Sequence, residues 1–200
     1  MPSLYDLKPR FQRLLRPLVD RLAAVGVTPN QVTVAAGLLS VAAGAAIATR
    51  PASHWPLLLL PAVLLVRMAL NAIDGQLARE HALGSRLGAI LNELGDVVSD
   101  AALYLPLALV PGVGATPVVV VVVLAVISEM AGVAALQGAA RRYDGPMGKS
   151  DRAFWLGALA LAVGLGVDPT GWAAAVLWVI AALLALTIVN RVRGALGSSR

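Results

Sequence analysis

Two stretches of the chain carry ionisable and amide side chains at helical spacing inside otherwise apolar surroundings. The first holds Arg67, Asn71, Asp74 and Ala78, and the second holds Gly88, Asn92, Asp96 and Asp100. Steps of three and four residues put each set on one face of a helix. Ionisable groups at such depth in an apolar segment are expensive unless they meet partners or a cavity, which makes two polar stripes a functional site by default. Carboxylate and amide oxygens are the ligands that hard divalent ions take. A carboxylate beside such an ion can also accept a proton from an attacking hydroxyl. The competing explanation is a polar cluster that only holds two helices together.

The elements that must position these residues are membrane-spanning helices. Of 200 residues, 58% are hydrophobic and 14% are charged, and the mean hydropathy is +0.80. Such a balance lies outside that of ordinary water-soluble domains. The apolar mass is Ala, Leu and Val with 19 Gly and little aromatic content, which suits closely packed helices in lipid. Cysteine is absent, so disulfides, thiolate nucleophiles and zinc-thiolate sites are excluded. The net charge of +5 comes from basic residues at the ends of apolar runs. Lipid phosphate is therefore a better partner than nucleic acid.

Six apolar segments stand at about 31–49, 55–78, 87–111, 116–139, 153–167 and 172–190, most of them near the roughly 20 residues that cross a bilayer. The fold class expected is all-α, a polytopic membrane protein of six transmembrane helices. Thr28, Pro29 and Gln31 form a helix start, with Thr as N-cap, Pro in the first turn and Gln at the capping-box position. Before it, Leu4, Leu7, Phe11, Leu14, Leu18 and Leu22 recur at helical steps among Lys8, Arg10, Arg13, Arg16 and Arg21. That pattern describes an amphipathic interfacial helix, with a solvated cytoplasmic helix as the alternative.

Domain boundaries follow: 1–27 for the amphipathic segment, 28–193 for the membrane domain and 194–200 for a tail. Basic residues cluster before segment one, between two and three, between four and five, and after six. By the positive-inside rule both termini are cytoplasmic, in a cell membrane.

Asp74-Gly75, Ala78-Arg79, an eight-residue gap, Gly88 and Asp96 together resemble the signature D-x2-D-G-x2-A-R-x8-G-x3-D-x3-D of the CDP-alcohol phosphotransferase (CDP-alcohol phosphatidyltransferase) family. The Thr28–Thr33 segment is similar to the one that opens the family's first helix. The resemblance implies a six-helix enzyme of phospholipid biosynthesis. It would transfer the phosphatidyl-type group of CDP-diacylglycerol or another CDP-alcohol to a small alcohol acceptor and release CMP. It also implies a divalent cofactor, Mg²⁺ or Mn²⁺ as one or two ions, with Asp96 as the catalytic base. Asp74, Gly75, Ala78, Arg79 and Gly88 would hold the nucleotide. Asp74, Asp96, Asn71, Asn92 and Asp100 are the candidate metal ligands.

The sequence departs from the signature at Asn71 and Asn92, where the family has the first and third aspartates. Four carboxylates balance two divalent ions and two balance one, so an altered metal complement or specificity is expected. Arg67 is placed to meet a substrate phosphate or to pair with Asp100. Glu129, beside Ser128, is placed to line the acceptor pocket or to pair with a base such as Arg67. The connection from Arg141 to Arg152 combines Gly145 and Gly148 with Arg141, Arg142, Lys149 and Arg152. It reads as a phosphate-binding loop near the acceptor, or simply as a loop held inside by its charge. Gly157, Gly164 and Gly166 serve helix packing or a homodimer contact. The asparagines also motivate a CDP-lipid-binding protein with weak turnover, and intramembrane Arg67, Asp100 and Glu129 a small transporter. The acceptor alcohol is not legible.

Overall fold

The computed structural model describes residues 4–134 and 145–197, with the side chains of 4–10 and of 197 left aside. All regular structure among them is helical. In order, the α-helices are α1 (Leu4–Ala24), α2 (Pro29–Thr49), α3 (His54–Glu80), α4 (Arg86–Tyr104), α5 (Ala115–Ala134), α6 (Lys149–Gly164) and α7 (Trp172–Gly197), with a short 3-10 segment over Leu105–Leu109.

Local chemistry sets the helix ends. The Thr28 N–H donates to Gln31 Oε1 at 2.9 Å and the Gln31 N–H to Thr28 Oγ1 at 3.4 Å, the reciprocal capping box read from the sequence. Ser85 caps α4 by accepting from the Gly88 N–H at 2.9 Å. At the start of α6 the Asp151 carboxylate accepts from the Gly148 N–H at 2.8 Å. That carboxylate explains why the helix begins at Lys149, upstream of the expected 153. The third apolar segment is not one helix to 111. It tightens to 3-10 geometry around Pro106, whose missing N–H cannot continue an α-ladder.

Four of the described helices, α2, α3, α5 and α7, are long and apolar enough to cross a membrane. α4 carries Glu93, Asp96 and Asp100 within its length, and α6 has 16 residues. The chain is a multi-pass membrane protein.

Two compact units divide the chain. The first comprises residues 1–41 and 63–99, the second residues 42–62 and 100–200. In the first, Val19 of α1, Val32 of α2, and Ile73 and Leu77 of α3 form a buried core, with Leu15, Leu22, Val27 and Leu70 around it. The apolar side of α1 is therefore wider than its packed face. Leu14 is 76% exposed and Leu18 45% exposed, although both belong to the stripe expected to be continuous with Leu22.

In the second unit α5 packs along α7. Close approaches depend on glycine. A Cβ at Gly44 would lie 1.9 Å from the Ala102 carbonyl oxygen, and one at Gly164 2.9 Å from the Leu58 amide nitrogen. Gly164 thus serves packing within the chain. Gly145, at φ +132°, lies against Thr187 of α7, where a Cβ would come within 2.7 Å of the Thr187 Cα.

Candidate active site in the first unit

Helix periodicity brings the first three residues of the α3 stripe onto one side, and α4 meets that side directly. The Asn71 amide Nδ2 donates to Asp96 Oδ1 at 2.9 Å. Arg67, one turn earlier and 4% exposed, donates to the Asp96 carbonyl oxygen at 3.1 Å. Its guanidinium also stands 3.6 Å from Asp96 Oδ1. Asp96 is therefore oriented by two donors from a neighbouring helix. With its side chain 19% exposed, it is more open than either Arg67 or Asp74.

Asp74, 5% exposed, accepts at Oδ2 from Thr33 Oγ1 of α2 at 2.9 Å. A Cβ on Gly95 of α4 would lie 3.3 Å from the methyl of Thr33. Thr33 consequently sits between the helix of Asp74 and the helix of Asp96. The sequence included Thr33 in the opening segment of the first span but gave it no role; its register with Asp74 depends on how α2 and α3 cross.

The glycines of the motif make room for polar groups. A Cβ at Gly75 would stand 3.1 Å from the guanidinium nitrogens of Arg79, so that side chain folds back over Gly75. A Cβ at Gly88 would stand 2.6 Å from Asn30 Oδ1, which keeps the start of α4 against the start of α2. Ala78 and Asn92 are half-buried. Among the described residues no group of three or more His, Cys, Asp or Glu side chains gathers as a metal cluster.

The remaining candidates lie in the second unit or outside the described residues. Arg141 and Arg142 are outside. Lys149 opens α6 and is half-buried. Arg152 is fully buried and donates to Asp100 Oδ2 at 2.9 Å and to Glu129 Oε1 at 3.0 Å. Arg191 of α7 stands 3.8 Å from the same Glu129 oxygen and donates to the Ser128 carbonyl. Two cations and two anions thus form one buried cluster. Arg191 had not been singled out, although Leu184, Thr187 and Arg191 recur on one face of α7 and all are nearly inaccessible.

The loop expected to bind phosphate through backbone amides uses two of them internally. The Met147 N–H donates to Thr187 Oγ1 at 3.0 Å, and the Gly148 N–H is taken by Asp151.

Comparison with known proteins shows the family. A family model described as CDP-alcohol phosphatidyltransferase matches residues 26–196. The inner membrane protein YnbA of Escherichia coli is 46% identical over 198 residues, covering 97% of this chain and 96% of that protein. The phosphatidylinositol phosphate synthase of Corynebacterium glutamicum is 34% identical over 105 residues, which cover 52% of this chain and 45% of the synthase.

Among solved structures, the phosphatidylinositol phosphate synthase of Mycobacterium tuberculosis with CDP-DAG bound superposes with a TM-score of 0.77 at 21% identity, covering 92% of this chain and 94% of that one. The same synthase in complex with manganese and citrate gives a TM-score of 0.75 at 21% identity, covering 90% and 87%. The chain belongs to the CDP-alcohol phosphatidyltransferase family.

Proposed function

We propose that this protein transfers the phosphatidyl-type group of a CDP-linked lipid to the hydroxyl of an alcohol and releases CMP. The observation that carries the reading is the orientation of Asp96 by Asn71 and Arg67 across the two motif helices. Its family and its likeness to phosphatidylinositol phosphate synthases support the same reaction class.

In this reading the acceptor hydroxyl gives its proton to Asp96 as its oxygen bonds to the lipid-side phosphorus. The bond from that phosphorus to the bridging oxygen breaks, and CMP leaves with that oxygen. Arg79 is placed to pair with the pyrophosphate, an interaction guanidinium geometry favours. Ala78 leaves the α3 backbone open to the nucleotide, Gly75 does so once the Arg79 side chain that covers it turns to the pyrophosphate, and Gly88 keeps the crossing of α4 close.

The donor set fits one hard divalent cation, Mg²⁺ or Mn²⁺. Asp74 and Asp96 supply hard carboxylate oxygens, and such ions are commonly bound through one or two carboxylates plus substrate phosphates. Asn71 and Asn92 add neutral amide oxygens. When bound, the ion would neutralise charge developing on the pyrophosphate. We assign Asp100 to the buried cluster with Arg152 rather than to this site.

The same reading gives the chain six crossings, with α4 and α6 completing the set begun by the four apolar helices. Both termini are cytoplasmic, and α1 lies at the membrane surface. Basic residues before α2, at the facing ends of α3 and α4 (Arg79 and Arg86), around the start of α6 and towards the end of α7 support that orientation.

A second reading, a CDP-lipid binder with little turnover, is favoured by Asn71 and Asn92 alone. Incubating purified protein with CDP-diacylglycerol, Mn²⁺ and a panel of alcohols separates the two. Stoichiometric CMP and a new phosphodiester lipid with one alcohol supports the enzyme, while metal-dependent binding without CMP supports the binder.

A further inference from the structure

A cleft of about 400 Å³ opens between α1 and the end of α3, lined by Gln12, Arg13, Arg16, Gln76 and Glu80. It is not the candidate active site. Gln76 lies two residues beyond Asp74, about 200° further round the helix, so this cleft faces away from the motif stripe.

Three features describe its occupant. Gln76 is 3% exposed, and its Nε2 donates to the Gln12 carbonyl at 2.9 Å. That bond fixes the amide orientation, because a carbonyl accepts only from the nitrogen. The other amide atom, Oε1, is buried without a hydrogen-bond partner, a costly state that a donor on a ligand would relieve. Charge is the second feature. Arg16 stands 3.6 Å from Glu80 with both side chains well exposed, and Arg13 makes no ion pair among the described residues, so the cleft is net positive by one.

Position is the third. The cleft lies at the last turn of α3, a helix apolar enough to cross a bilayer, on the side of α1 turned away from the outward Leu14 and Leu18. The end of a spanning helix lies at headgroup level, and this places Arg13 and Arg16 at the depth of lipid phosphates.

We infer that this cleft binds the headgroup of an anionic bilayer phospholipid that carries a free hydroxyl. The phosphodiester meets Arg13 and Arg16, and the headgroup hydroxyl donates to Gln76 Oε1. Phosphatidylglycerol has this chemistry. Phosphatidylmethanol has the same charge without the hydroxyl, and phosphatidylcholine has neither the net charge nor the donor.

Native mass spectrometry of the purified full chain with equimolar mixtures of these three lipids tests the inference. The intact protein should retain phosphatidylglycerol at least tenfold over phosphatidylcholine and severalfold over phosphatidylmethanol. Arg13→Gln with Arg16→Gln, both at exposed positions, should abolish the first preference. Gln76→Met should abolish the second, and soluble glycerol 3-phosphate should displace nothing. Wild-type preferences persisting in either variant, or displacement of the lipid by glycerol 3-phosphate, would overturn it.

Discussion

The Asn71 amide donates a 2.9 Å hydrogen bond to the Oδ1 of Asp96, joining the first position of the family signature on α3 to its last position on α4. Where the signature carries aspartate, a carboxylate at this distance would repel Asp96 unless a cation lay between them. Asparagine converts that repulsion into an attraction that needs no ion.

Replacing Asn71 with Asp reverses this. Without metal, Asn71→Asp should lose about 1–3 kcal/mol of stability, from the lost bond and the like-charge contact. Mn²⁺ should restore it, and bound Mn²⁺ per protomer should rise above that of the unmodified chain. Thermal unfolding in detergent with and without Mn²⁺, beside metal counting by mass spectrometry, reads both effects.

Arg152 is fully buried between Asp100 and Glu129. Removing one partner of a buried ionic cluster strands the others, so Arg152→Met should cost about 3–5 kcal/mol. For a chain of this size that is a fall of roughly 10 °C in Tm. Adding Glu129→Gln to Arg152→Met should recover part of the loss, since fewer charges are left uncompensated.

Gly44 marks a crossing that tolerates no side chain. A Cβ there would overlap the Ala102 carbonyl oxygen at 1.9 Å, and backbone cannot swing aside as a side-chain tip can. Gly44→Ala should destabilise by about 1–3 kcal/mol or more. Gly26→Ala meets no neighbouring atom within 4 Å and controls for the change itself, apart from the strain of its positive φ. Denaturant or thermal unfolding of the two variants compares them.

Asp168 lies in the connection between α6 and α7. Its carboxylate accepts from the Thr170 hydroxyl at 2.6 Å and the Thr170 N–H at 3.0 Å, and these bonds hold its pKa below the ordinary carboxylate value. A depressed folded-state pKa contributes stability that is present above the unfolded carboxylate pKa, about 3.9, and fades as pH falls through the folded value. Asp168→Asn should therefore lower Tm slightly near neutrality, where that stability is present, and flatten the acid limb of Tm against pH below about 4. The exposure of Asp168 keeps the effect small.

Legibility in the sequence followed the range of each interaction. The start of α2 was readable because Thr28 and Gln31 satisfy each other within one turn. The α3 and α4 stripes were readable because helical periodicity fixes which residues share a face. The partner of Arg152 was not, because Asp100 and Glu129 reach it from α4 and α5, and sequence does not state how helices rotate against one another. The exposed Leu14 and Leu18 escaped for a similar reason. An apolar stripe reports which side avoids water, but Leu15, Val19 and Leu22, not Leu14 and Leu18, face the protein core. The proline-induced 3-10 segment after α4 was written in Pro106 and hidden by the continuity of the apolar run.

Comparing substrate binding with turnover in Asp96→Asn tests the central claim most directly. The unmodified protein should release CMP from CDP-diacylglycerol in the presence of Mn²⁺ and its alcohol. The variant should still bind CDP-diacylglycerol within severalfold while CMP release falls by about 10²–10⁴. CMP release unchanged in Asp96→Asn would contradict the account.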